Sequence, residues 1–428
     1  MTDPVRFFRD VAARHARCFW LDGGGARAWS GRRSLVGWLE DDEVSLTYDA
    51  AARSVTRHVG GAAEVVGDDV FVVLEAELAA GDPGDQWFGY FGYACRPDLP
   101  ALVGGGLPDA VWMRSRNVRF FDHAVDGQHR TPAGDVSLGD VRVPGPSGDS
   151  VPASYATAFT RVQEQLHAGN SYEVNLTYRM VAESDVDPVS AYLRLRELNP
   201  APYAGFLQHD VPGAAAWLLS SSPERYALVT ADRTLETKPI KGTTRRGRTP
   251  AEDDELRTTL ATDPKTRAEN LMIVDLLRND LSMVCEPGTV TVPVLMDVES
   301  YETVHQLVST VRGHLRADVT TVQALRALFP AGSMTGAPKL RTMEIVEDVE
   351  DTPRGPYAGA FGWISADGRA DLGVVIRSLM TAGDGRYLIG TGGGITVRSD
   401  LADEYAESEV KAARVLQALG VAGPVSAS

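Results

Sequence analysis

The sequence predicts a large mixed α/β protein, and three observations carry that prediction. Residues 1–124 read as short strands and turns, the C-terminal half carries long capped helical patterns, and a hydrophobic fraction of 43% supplies a sizeable core. On length alone, 428 residues suggest two or three domains, although an intertwined α/β fold can use them as one unit. The 58 acidic against 42 basic side chains give a net charge of −16, which argues against nucleic acid or an anionic membrane as partner, since both need a basic face. No stretch approaches the ~20 apolar residues of a membrane span, and the N-terminus lacks the apolar segment of a secretory signal. Cys18, Cys95 and Cys285 are too few and too scattered for a disulfide framework or a cysteine zinc site, and fit a reducing cytoplasm.

Taken along the chain, Gly23, Gly24 and Gly25 break the segment after Phe19-Trp20-Leu21, and the apolar run Val70 to Leu74 predicts a buried strand. Trp87 to Tyr93, aromatic and punctuated by glycine, predicts close backbone packing in preference to a ligand-stacking surface. Residues 126–152 are rich in Gly, Pro, Ser and Asp and read as a linker between an N-terminal part, 1–125, and a C-terminal region, 153–420. Residues 421–428 read as a flexible tail. Ser154 to His167 predicts a helix, and Ser171 to Tyr178 alternates like a strand. Asp263-Pro264 is a cap followed by a proline at the first helical position, so a helix is expected through Asp280. A last helix, from near Asp400 to about Leu419, puts Glu404, Glu407 and Lys411 on one face.

Three groups of residues could carry chemistry. Glu404 and Glu407 could hold a hard cation jointly with a third carboxylate, because Mg²⁺ prefers oxygen ligands. Taken alone, the pair also reads as a solvated helix face. Glu269 sits beside Leu271 and Met272, where a carboxylate needs a partner. Lys241 lies in Thr237-Lys-Pro-Ile-Lys-Gly-Thr243, where an extended chain turns Lys238 and Lys241 to opposite sides. Gly242 beside it allows a close approach. A lysine is nucleophilic only if its pKa falls from ~10.4 towards neutrality; on spacing alone Lys241 is equally a surface lysine. Gly332 to Lys339 and Gly390 to Gly394 expose backbone N–H groups suited to an anion, but neither is a P-loop or a dinucleotide fingerprint. Arg377, in the apolar run Val374 to Leu379, needs an anionic partner.

These segments occur in one order: Ser221-Ser-Pro-Glu-Arg225, Pro239-Ile-Lys-Gly-Thr243, Arg267 to Asp280, Leu307-Val-Ser309, Gly332 to Lys339, Ile376-Arg377, Gly392-Gly-Gly394 and Glu404…Glu407…Lys411. Together, over about residues 150–420, they resemble the chorismate-utilising enzymes. The resemblance implies an anthranilate-synthase-like fold, an antiparallel β-sandwich flanked by helices with two interleaved halves and a cleft between them. It implies the aminodeoxychorismate branch, which has a lysine at position 241 where the anthranilate branch has alanine. On that basis Lys241 would attack C2 of chorismate as the C4 hydroxyl leaves, with Glu224 as general acid. Ammonia would then add at C4 and expel the lysine, leaving 4-amino-4-deoxychorismate. Glu269, Glu404 and Glu407 would surround Mg²⁺, whose charge would help Lys241 to be neutral. Arg377, Gly392, Gly393, Gly394, Thr243 and Ser333 would contact the substrate.

Several positions depart from the family pattern. Glu173 stands where many members have glutamine. Gln306 replaces a histidine, with His305 one residue earlier, and Trp363 replaces a tyrosine. Thr266 replaces an acidic residue three before Glu269, and Val410 an asparagine. The three cysteines lack a nucleophile elbow, so no glutaminase domain is expected. Ammonia is then expected from a glutamine amidotransferase subunit or from solution. The segment Phe19 to Gly37 lies where some relatives hold tryptophan, but it is unlike their pattern. The alternatives are an anthranilate or isochorismate synthase, against which Lys241 speaks, and a degenerate ligand-binding or assembly homologue. Against the latter speaks the intact set of Glu224, Lys241, Glu269, Arg377, Glu404 and Glu407.

Overall fold

The computed structural model describes residues 3–23, 33–123, 151–301 and 304–420. Two antiparallel sheets share one core. The nine-stranded sheet runs, in spatial order, Gly336–Ala337, Glu173–Glu183, Arg386–Ile395, Ser378–Thr381, Ala216–Ser222, Tyr203–His209, Arg17–Asp22, Arg33–Trp38 and Asn117–Asp122. The twelve-stranded sheet runs Ile240–Arg245, Val304–His314, Thr234–Lys238, Arg225–Val229, Ala370–Val374, Ala360–Ser365, Gln86–Phe91, Ala110–Ser115, Ser45–Asp49, Ser54–Val59 and Ala62–Gly67. Thr291–Ser300 is added alongside Val304–His314. Each sheet contains strands from both ends of the chain, which is the interleaved sandwich the resemblance implies.

The largest buried cluster draws side chains from both sheets, and Phe19 of one stacks on Phe88 of the other with ring centroids 3.9 Å apart. Helices Pro4–Arg14, Pro188–Leu198 and Leu401–Gln417 bury a second cluster with strands of the nine-stranded sheet. Ala153–His167 and Lys339–Val349 form a third against Glu173–Glu183. Among the described residues no helix is long and apolar enough to cross a membrane. The predicted linker lies outside the described residues except for Val151 and Pro152, as do the predicted tail and Gly24 and Gly25.

The capped helices form where their end chemistry sets them. Asp263 accepts from the N–H of Thr266 at 2.7 Å to open Pro264–Ser282, and Asp400 accepts from Ala402 and Asp403 to open Leu401–Gln417. The helix predicted over Ser154 to His167 forms as Ala153–His167, and the close backbone packing predicted from Trp87 is seen in strand Gln86–Phe91, where a Cβ at Gly89 would overlap the Val111 carbonyl. The run Val70 to Leu74, however, is the start of helix Val70–Ala80 and not a strand. Asp69 accepts from the N–H groups of Phe71 and Val72, and Leu74-Glu-Ala-Glu-Leu-Ala-Ala80 continues as good helix formers.

Candidate active site

The chain passes from the nine-stranded to the twelve-stranded sheet between Ala216–Ser222 and Arg225–Val229, and returns between Ala370–Val374 and Ser378–Thr381. These two crossovers lie side by side. Ser221 donates to the Arg377 carbonyl from both N–H and Oγ, and Val374 N–H donates to the Glu224 carbonyl at 3.0 Å. Glu224 and Arg377 are thereby brought together at the seam of the sandwich. Arg377 is therefore not in an apolar strand; it occupies the turn between strands with φ +52°, a strained backbone region for a residue with a side chain.

Glu224 is buried and accepts from Ser333 Oγ at 2.6 Å. Burial raises its pKa to about 7, while the Ser333 hydrogen bond and the charges of Lys241 and Arg377 pull it back. A small cleft beside it is lined by Leu277, Leu328 and Ala331 together with Thr237 and Ser333. Glu224 can thus hold a proton near neutral pH. Ser333 comes from a turn in the glycine-rich segment Gly332 to Lys339, whose Lys339 is committed to Asp280 at 2.7 Å.

Lys241 enters from Ile240–Arg245, at the edge of the twelve-stranded sheet. Thr234–Lys238 and Ile240–Arg245 are two strands with Pro239 between them, both paired to Val304–His314. Lys238 bonds Glu299 at 2.6 Å, so the two lysines do have different partners. Gly242 has φ +77°, and a Cβ there would overlap Thr266 and come within 2.9 Å of Leu260, so glycine lets helix Pro264–Ser282 pack beside the lysine. Lys241 Nζ donates to Glu173 Oε1, across from one sheet to the other, and the two side chains are only 10% and 1% exposed. Burial would lower the lysine's pKa, but the charges of Glu173 and Glu269 and the hydrogen bond it donates to Glu173 outweigh it, and the pKa is raised. With Glu173 as its partner and no cation bound, the ammonium form of the lysine is favoured.

Gly392, Gly393 and Gly394 belong to Arg386–Ile395 and pair with Thr177, Leu176 and Asn175 on one side. The neighbour on the other side pairs at Leu388, so these glycines extend past the end of that pairing. A Cβ at Gly393 would lie 3.4 Å from both Glu404 Oε2 and Lys411 Nζ, and one at Gly394 would lie 3.2 Å from Lys241 Nζ and overlap Glu173. The glycines are the floor on which the charged groups rest. Thr243, two residues past Lys241, is exposed.

The three carboxylates expected to hold a cation lie on two helices. Glu404 accepts from Lys265 Nζ at 2.8 Å and Ser399 Oγ at 2.6 Å, and Glu407 pairs with Lys411 at 2.8 Å. Lys265 Nζ is 4.0 Å from Glu269 Oε1, an atom that is buried without a hydrogen-bond partner. Burial first, then the charges of Glu173 and Glu404, raise the Glu269 pKa to about 7 against the opposing pull of Lys241 and Lys265. Among the described residues no three acidic, histidine or cysteine side chains are grouped to hold a metal ion. The donors nevertheless fit a hard cation: all are carboxylate oxygens, one is orphaned, and an ammonium already bridges towards two of them. Motif reading missed Lys265, although its spacing of four from Glu269 was the available signal, and gave Glu173 no role. His305 is not at this centre, since its ring bonds Ser300 and Asp253.

A sequence model described as chorismate binding enzyme matches residues 17–417, a span that contains every residue above. The chain belongs to the chorismate-binding enzyme family. An aminodeoxychorismate synthase of Streptomyces griseus is 50% identical over 95% of this chain and 61% of its own length. One of Streptomyces pristinaespiralis is 40% identical over 96% of the chain and 62% of its length, so the chain spans about three fifths of these relatives. Among solved structures, anthranilate synthase component I from Streptococcus pneumoniae aligns with a TM-score of 0.72 at 26% identity, over 91% of this chain and 93% of that one. A chorismate-binding enzyme must receive a substrate with two carboxylates. Arg377 is a half-buried cation at the seam, and among the described residues no carboxylate is in ion-pair contact with it.

Proposed function

We propose that this chain aminates chorismate at C4, giving 4-amino-4-deoxychorismate through a covalent adduct on Lys241. The observation that carries the reading is the placement of the buried Lys241 near Glu224, whose pKa of about 7 lets it hold a proton near neutral pH. Nucleophile and acid are both required, because the C4 oxygen leaves as water only if a proton reaches it as the lysine bonds to C2. Arg377 and the free edge of Gly392, Gly393 and Gly394 would hold the substrate's carboxylates, with Ser333 fixing the Glu224 carboxyl and Thr243 at the rim. Glu269, Glu404 and Glu407 are the residues that would hold Mg²⁺, which supplies positive charge opposite the ring carboxylate when bound. The three cysteines are free and buried, which suits a reducing cytoplasm. Ammonia would come from a glutamine amidotransferase partner, and the product would feed p-aminobenzoate for folate or a specialised aromatic pathway.

The test is to incubate the purified protein with chorismate, MgCl₂ and ammonium and to identify products by chromatography with mass detection. Aminodeoxychorismate is expected from the wild-type protein and not from Lys241→Ala. Anthranilate or isochorismate from the wild-type protein would reject the branch. Turnover with glutamine as nitrogen source is expected only when the partner is added.

A further inference from the structure

The geometry points to Glu173 as the base that takes the proton from Lys241 and holds it for as long as the lysine is bonded to substrate. This rests on the reading of Lys241 as the nucleophile. The lysine cannot attack as the ammonium that the site stabilises, so its proton needs a destination at the Nζ atom. Three carboxylates influence Lys241: Glu173 from strand Glu173–Glu183, Glu269 from helix Pro264–Ser282, and Glu224 from the crossover turn. Only Glu173 is in ion-pair contact with Nζ among the described residues. Glu224 already accepts from Ser333 and is needed as an acid, while Glu269 faces Lys265.

The surroundings of Glu173 suit that task. Its Oε1 is bonded to the lysine, and its Oε2 is buried without any hydrogen-bond partner. A structural carboxylate in such a place has its lone pairs satisfied; this one has, among the described residues, the reacting amine as its one side-chain hydrogen-bond partner. Proton transfer from Nζ to the carboxylate replaces two buried ions with two neutral groups, so the step leaves no new charge inside the site. Gly394 leaves room for the pair, since any side chain there would displace it.

The step balances within the site. The Nζ–H bond breaks and its proton passes to Glu173, and the freed lone pair forms the bond to C2. The ring double bonds shift and the C4–O bond breaks, with its electron pair on oxygen, which takes the Glu224 proton and leaves as water. When ammonia adds at C4, the C2–N bond breaks and its pair returns to Nζ. Glu173 then gives its proton back to the lysine, and the new C4 ammonium restores the proton of Glu224.

The test follows adduct formation on Lys241 by intact and peptide mass after rapid mixing with chorismate and MgCl₂, without ammonia, across pH. Glu173→Gln keeps the side chain's shape, so only charge and basicity change. Adduct formation in Glu173→Gln is expected to slow by roughly 10²- to 10⁴-fold at every pH up to about 7, where Glu224 still holds its proton. Glu173→Asp is expected to keep the wild-type pH profile at a reduced rate, and melting temperatures of both variants check that the fold is intact. Glu173→Gln forming the adduct at or above the wild-type rate near neutral pH would make Glu173 a mere counter-ion and overturn the proposal alone. No adduct on Lys241 in the wild-type protein would overturn the reading of the site and this proposal together.

Discussion

Two carboxylate centres lie along the same strand, Glu173–Glu183, and the chain treats them in opposite ways. At Thr177, Glu350 accepts from the backbone N–H and Oγ1 of that residue, from Arg179, and twice from Arg354. Burial alone would raise its pKa, but Arg354 and Arg179 outweigh burial and hold it below the usual carboxylate range. At the other end, Glu173 has one partner, Glu224 has one side-chain partner, and an oxygen of Glu269 has none. Burial leaves Glu224 and Glu269 at about 7. The first centre fixes the fold with a charge that is always present. The second keeps two acids, Glu224 and Glu269, that change charge near neutral pH, which is what proton transfer and ligand binding require.

The sharpest way to break the contrast is to remove the acid. Glu224→Gln is expected to lower turnover with ammonium by roughly 10²- to 10⁴-fold with no loss of melting temperature. In the wild-type protein the adduct-forming step should decline as pH rises through about 7, where Glu224 loses its proton. A variant that keeps wild-type turnover would show that the carboxyl group is not the acid. The converse substitution, Glu350→Gln, is expected to cost about 3–5 kcal/mol of stability, because Arg354 and Arg179 are left as buried cations with a neutral partner. Denaturant unfolding measures it, and a change below about 1 kcal/mol would remove the structural role given to this centre.

What the sequence made legible follows from how local each feature is. Helix Pro264–Ser282 could be read because its cap lies three residues from the N–H it satisfies. The run Val70 to Leu74 misled because β-branched residues fit a strand or a buried helix equally, and the Asp69 cap decides between them. Arg377 looked like a strand residue because nothing in Val374 to Leu379 announces a crossover between two sheets. The motifs brought out Lys241, Glu224 and the three acidic residues proposed to hold a cation. They could not give the state of those residues, which depends on partners far away in sequence: Lys241 meets Glu173 across 68 residues and Lys265 meets Glu404 across 139.

Glu269 sharpens the comparison through stability. Its folded pKa of about 7 lies above the ~4.3 of an unfolded glutamate. The folded state therefore binds the extra proton between those values, and its stability falls as pH rises through that window. Glu350, with its pKa lowered, does the reverse and loses its contribution as pH falls below the unfolded value. In chelator-treated protein at pH 8, Glu269→Gln is expected to raise stability by about 1–3 kcal/mol, since a buried oxygen without a partner no longer carries charge. On the proposed site, Mg²⁺ is expected to raise the melting temperature of the wild-type protein, and the same variant should lose most of that rise. A lower melting temperature at pH 8 would contradict the account of Glu269 as a strained acid.

The smallest expected effect tests whether Lys265 stands in for a cation. Its Nζ is 2.8 Å from Glu404 and 4.0 Å from Glu269, so an ammonium already offers these carboxylates the charge that Mg²⁺ would bring. An incoming ion must displace it. The side chain is 45% exposed, and solvent screening limits the pair to about 1 kcal/mol or less. Lys265→Met keeps the length of the side chain and removes the charge. Affinity for Mg²⁺, measured by titration calorimetry without substrate, is then expected to rise by up to about fivefold, the factor that ~1 kcal/mol gives. Two effects oppose each other here. Losing the ammonium removes a competitor, but it also frees Glu404 to move, held only by Ser399. Weaker binding in Lys265→Met would mean that the lysine holds Glu404 in place for the ion, and the role of competitor would be withdrawn.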